Sequence, residues 1–123
     1  MSDGDTIVFP LAGRQRGSVN RPAPQIVAFH RRELGEILNV YGRQVAAGEW
    51  RDYAIDMGRD TAVFSIFRRT SEVPIYRVEK TPKLARRQGA YSVVSATGQI
   101  LKRGHDLRTV LRVIDKRVKL ASV

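Results

Sequence analysis

Residues 61–80 read TAVFSIFRRTSEVPIYRVEK, and the way they divide decides the fold. From Ala62 to Phe67 apolar side chains fall on both parities, the pattern of a central strand covered on its two faces. Arg68 and Arg69 end that run, TSEVP turns the chain, and IYRVEK resumes as a second strand. Strands joined by so short a connection pair antiparallel, because a parallel pair needs a crossover of roughly a dozen residues or more.

Outward from this hairpin, Tyr53, Ile55 and Met57 alternate with Asp52, Ala54 and Asp56, marking a strand with one buried face. MGRD (57–60) supplies the turn between it and the central strand. On the other side, PKLARRQG (82–89) breaks the pattern at Pro82 and Gly89 and reads as a loop. AYSVVSA and QILKR then form two short strands around a tip at Thr97 and Gly98. QIVAFH (25–30) reads as one more short strand at the start.

Two segments carry helical spacing. RRELGEILNVYGRQVAAGEW (31–50) sets Leu34, Ile37, Leu38, Tyr41 and Val45 on one stripe, with Gly48 placed to end the helix. HDLRTVLRVIDKRVKLASV (105–123) does the same with Leu107, Val110, Leu111, Ile114 and Val118, and Asp106 is suited to cap its start. One-sided helices must bury their stripes, and consecutive strands offer them a sheet face. The expected fold is therefore α+β: an antiparallel sheet of five to six strands with two amphipathic helices packed on one face. Residues 25–123 make up this single domain. Residues 1–24, mixing Gly, Ser, Arg and Asn and closing on RPAP, are expected to be a disordered N-terminal arm.

The chain carries a formal charge of +10 at pH 7, and the excess is not spread evenly. Residues 1–24 hold three Arg and two Asp, residues 25–61 five Arg and six acids, and residues 62–123 fourteen Lys or Arg and four acids. A one-sided positive field attracts polyanions, so nucleic acid is the expected partner, with RNA and DNA not distinguished. An acidic protein partner, or self-association through the sheet, is the alternative. No Cys is present, which removes disulfides and thiolate chemistry and fits a reducing compartment. The first residues are acidic where a secretory signal is basic, and no apolar run approaches the roughly 20 residues of a membrane span, so a cytoplasmic protein without a membrane partner is expected.

Three groups of cations are candidates for phosphate contacts. Lys83, Arg86 and Arg87 lie in the 82–89 loop, where Gly89 would permit close approach. Lys102 and Arg103 precede His105 and the start of the second helix, where cations and helical N–H groups converge. Arg108 and Arg112, followed by Lys116 and Lys119, form a ridge opposite the apolar stripe of that helix. The same residues also suit a solvated loop, a soluble strand edge and the wet side of an amphipathic helix.

The opening hairpin adds a conditional fourth group. If Ala62, Phe64 and Ile66 face the helices with Tyr76 and Val78, then Phe67, Arg69 and Arg77 share the open face, and a base could stack on Phe67 between cations. The opposite register makes Phe67 core, since a one-residue slip exchanges the faces. Tyr91 is a second candidate stacking ring. Asp52 and Asp56 on a strand stand about 13 Å apart, too far for joint metal ligation. Only His30 and His105 offer imidazole, and no phosphate-loop, dinucleotide or nucleophile-elbow motif occurs, so neither an enzyme nor a cofactor or metal is expected.

VYGRQVAAGEWRDYAIDMGRDTAVFSIFRRTSEVPIYRVEK (40–80), RQGAYSVV (87–94) and ILKRGHDL (100–107) carry a likeness beyond composition. Over about residues 25–119 the chain resembles a family of small basic alphaproteobacterial proteins classed as a domain of unknown function. The resemblance implies a bacterial cytoplasmic single-domain protein and brings no activity or site residues with it.

Overall fold

The computed structural model describes residues 26–69 and 73–121, with side chains as far as Asp115. The arm expected over residues 1–24, the centre of the TSEVP turn, and the side chains of Lys116, Val118 and Lys119 lie outside the described residues. The element order is α1 (Arg31–Ala46), β1 (Asp52–Met57), β2 (Ala62–Phe67), β3 (Tyr76–Lys80), β4 (Tyr91–Ser95), β5 (Ile100–Gly104) and α2 (Leu107–Ala121). The five strands form one antiparallel sheet in the order β1-β2-β3-β4-β5, each paired with its neighbour in the chain. The fold is α+β, as the run of short connections requires.

Cross-strand pairing fixes which side chains share a face. Ile55 stands opposite Phe64, Phe64 opposite Val78, and Val78 opposite Val93. Ala62, Phe64, Ile66, Val78 and Val93 are buried together with Ile37 and Val40 of α1 and Leu107, Val110, Leu111 and Ile114 of α2. Burial of each such large aliphatic or aromatic side chain contributes about 1.5–3 kcal/mol. Helix α2 lies over β4 and β5 and against α1. A ring of aromatic contacts seals the α1 side: Tyr53 stacks on Phe64 at 4.8 Å, and Tyr41 meets Tyr53 edge-on at 5.0 Å.

The turns follow their residue types. Gly48 adopts φ +79 and donates its N–H to Val45, closing α1, and Gly98 adopts φ +90 at the tip between β4 and β5. Asp106 accepts the Thr109 N–H at 3.1 Å and caps α2.

Two expectations change. QIVAFH contributes no strand among its described residues: the Val27 N–H donates to the Gly58 carbonyl at 2.7 Å, but residues 26–30 form no ladder. The buried stripe of α1 is Glu33, Ile37, Val40 and Gln44. Leu34 and Tyr41 pack at its border, while Leu38 and Val45 are exposed, so the helix is rotated by about one position from the purely apolar stripe. The cause is polar pairing: Gln44 Nε2 donates to Asp115 of α2 at 2.6 Å, and Glu33 has partners on β3 and β4. On edge strand β1 the register sets Tyr53, Ile55 and Met57 on the core side, yet the expected buried face does not form: Tyr53 and Met57 stay exposed, with no further strand beside them among the described residues.

Candidate nucleic-acid interface

The 82–89 loop begins at Pro82, which opens a 3-10 turn over Pro82–Leu84. The N–H groups of Arg87, Gln88 and Gly89 all return to the Leu84 carbonyl, which winds the segment tightly and leaves Arg86 and Arg87 exposed on its outer turn. Gly89 then takes φ +103 against the end of β5: a Cβ at this position would lie 2.2 Å from the Gly104 carbonyl carbon. The close approach that Gly89 permits is therefore to the protein's own backbone and not to a ligand. Its effect is to hold the Arg86–Arg87 turn beside the strand that carries Lys102 and Arg103.

Ion pairs divide the candidate cations into two sets. Lys83 Nζ lies 3.1 Å from Asp60, Arg77 Nε donates to Glu79 at 3.2 Å, and Arg108 stands 3.8 Å from Glu36. Asp60 and Glu36 come from the segment before Ala62, so part of the later positive charge is neutralised once the chain folds. Arg86, Arg87, Lys102, Arg103 and Arg112 make no close ion pair with a carboxylate among the described residues, although Arg112 lies within electrostatic reach of Asp106. These five lie on the turn, on edge strand β5 and on the exposed side of α2, which packs over β5. Arg69 is exposed just past the end of β2, at the opposite end of the sheet.

Of the two registers open to the hairpin, the first is realised. Ala62, Phe64 and Ile66 are core, and half-buried Phe67 lies on the open face with Arg77. Ser65, Ser92 and Val94 on that face are buried between longer neighbours in register, including Arg77, Glu79 and Arg103. Tyr91 does not share this face. It pairs with Lys80 on the helix side, packs against the core and donates its hydroxyl to Glu33 Oε2 at 2.5 Å. A ring held there is withdrawn from the face on which Phe67 lies.

The group that holds Tyr91 is the feature that sequence patterns did not reveal. Glu33 is buried; its Oε1 accepts Lys80 Nζ at 2.8 Å and the His30 N–H at 2.9 Å. Lys80 also donates to the Ala28 carbonyl at 2.9 Å. Burial pushes the Glu33 carboxyl upward, but hydrogen bonds from Lys80, Tyr91 and the His30 N–H outweigh it and hold the group below the usual carboxylate range. Burial, with the Glu33 carboxylate beside it, pushes the Tyr91 hydroxyl well above a free tyrosine. A charged acid on a helix stripe is the one signal available in the chain, and its partners lie 47 and 58 residues away. Both Glu33 oxygens accept hydrogen bonds from within the cluster, so its chemistry is that of a tie between α1 and the sheet.

At the start of α2, Asp106 accepts both the hydroxyl and the N–H of Thr109, and these bonds, with Arg108 and Arg112 nearby, hold its carboxyl below the usual range. The helix start is thus capped from within, and the cations beside it remain exposed around an occupied cap.

The chain belongs to the family described as "Protein of unknown function (DUF2794)", whose model matches residues 27–111. The match spans α1, all five strands and the first turn of α2, and with them every candidate cation except Arg112, Lys116 and Lys119. No curated protein and no solved structure matches the chain. Among the described residues no helix is long and apolar enough to cross a membrane.

Proposed function

We propose that the chain is a non-enzymatic nucleic-acid-binding protein of the bacterial cytoplasm. Its phosphate contacts come from Arg86, Arg87, Lys102, Arg103 and Arg112. One observation carries the reading: the Gly89–Gly104 contact sets the Arg86–Arg87 turn beside β5, and none of the five cations makes a close ion pair with a carboxylate among the described residues. Such cations release counterions when they meet a phosphate backbone, which favours binding irrespective of base sequence. Lys83, Arg77 and Arg108 contribute less, because a phosphate must compete with the carboxylates they already face.

A second reading is a module that docks an acidic protein on the same flank. It is favoured by the three ion pairs, which shrink the positive surface to a size suited to a local contact.

Titrating the full chain with a labelled single strand and a labelled duplex at several salt concentrations separates the two. Log affinity falling with log salt by about 0.7 per contacted phosphate for single strands, or about 0.9 for duplex, supports the first reading. Absence of binding at low salt, with a stoichiometric acidic protein recovered instead, replaces it with the second.

A further inference from the structure

A second cluster of cations lies at the other end of β2 from the 82–89 loop, roughly 17 Å away along the strand. There Val45, Gly48, Trp50, Arg51, Arg68 and Arg69 surround an open pocket of about 430 Å³, within the range of small-molecule sites.

The pocket follows from how α1 ends. The N–H groups of residues 47–50 fold back onto the carbonyls of Arg43, Gln44 and Val45, so the helix end presents satisfied carbonyls instead of bare ones that would repel an anion. This turn seats Trp50 in the core, 3% exposed, and delivers Arg51 to the start of β1. The Arg51 N–H donates to the Phe67 carbonyl at 2.9 Å. Extending the Asp52–Phe67 pairing by one residue sets Arg51 across from Arg68. Like charges facing each other on paired strands are destabilising. Among the described residues no carboxylate lines the pocket. The arrangement is relieved by a ligand that brings negative charge between the two guanidinium groups.

We propose that this pocket binds a phosphomonoester. Its phosphate carries about −1.5 to −2 charge at neutral pH and offers three acceptor oxygens, matching planar guanidinium forks that bond phosphate in bidentate fashion. Arg51 and Arg68 hold the phosphate, and the remainder of the ligand lies against exposed Val45 at the helix end. The site shares no residue with the proposed β5 flank and stands or falls separately from it.

Trp50 is the one tryptophan of the chain and lines the pocket, so its emission reports occupancy. The full chain is titrated with inorganic phosphate, with a nucleoside 5′-monophosphate and with the matching nucleoside, ionic strength being held constant with chloride. A saturable change with the two phosphates and none with the nucleoside is expected. Arg68→Gln and, separately, Arg51→Gln each weaken it by about tenfold or more, the loss of a charge-assisted hydrogen bond. Arg86→Ala with Arg87→Ala leaves it unchanged. An unaltered response in both Gln variants with a native melting curve, a matching response to chloride alone, or no saturable change in the parent chain overturns the proposal. Short oligonucleotides with and without a 5′-phosphate then identify the source: tighter binding of the phosphorylated one assigns a strand end, equal binding a free phosphoester.

Discussion

Lys80 Nζ on β3 lies 2.8 Å from Glu33 Oε1 on α1, both side chains largely withdrawn from water. Each charge has lost hydration and is compensated by the other, by Tyr91 and by the Ala28 and His30 backbone. Pairing of this kind is weak as net stabilisation but costly to break from one side. Lys80→Met leaves a buried carboxylate without its cation, and a loss of about 3–5 kcal/mol is expected in urea unfolding. Tyr91→Phe removes one hydrogen bond to a charged group and should cost about 1.5–3 kcal/mol.

The same group sets a pH dependence. Glu33 is held below its ordinary value in the folded chain, so the stability it confers is fully present above the unfolded carboxyl range. That stability is lost as pH falls through the lower, folded value. Urea midpoints measured from neutral pH downward should therefore drop through the acid range. In Glu33→Gln the drop should be shallower, Asp106 supplying a smaller component of the same sign.

Gly89 answers to both space and backbone. Gly89→Ala places a Cβ against the Gly104 carbonyl at a φ of +103, and neither strand end can yield without breaking the β4–β5 ladder. A destabilisation of about 1–3 kcal/mol is expected from the backbone alone, with steric conflict added. If the variant still folds, the Arg86–Arg87 turn moves away from β5, and affinity for a labelled single strand should fall although no cation has been removed.

Ion pairing predicts an order among the cations themselves. Arg86→Ala with Arg87→Ala should flatten the salt slope of nucleic-acid binding by about one to two units. Lys83→Ala, which removes a side chain already facing Asp60, should alter it by clearly less. Equal effects of the two changes would count against the turn as the principal contact.

The order from α1 onward, the turns and the described part of the α2 stripe were legible because each is a local property: alternation, Gly at a positive φ, and Asp106 before a helical run. The short apolar run of QIVAFH carries no such signal and forms no strand among its described residues. The α1 stripe was misread by one position because Glu33 and Gln44 behave as core residues only through Lys80, Tyr91 and Asp115, which no local window contains. Phe67 and Tyr91 went to opposite faces through a register that period-two patterns leave undecided when both parities are apolar. For the candidate sites, clustered cations were visible as types, but their division into paired and unpaired sets depends on Glu36 and Asp60 arriving from the earlier half. Arg51 joins Arg68 only once β1 and β2 are paired, so the pocket had no trace in either segment alone.

The reach of α1 bears on how the chain is made. Its partners Lys80, Tyr91 and Asp115 follow it by 47, 58 and 71 residues, counted from Glu33, Glu33 and Gln44. During synthesis the first helix therefore leaves the ribosome long before these three polar partners can receive it. The strands that follow can close hairpin by hairpin, each on the one just released, while this helix waits with an ionised acid in its future core.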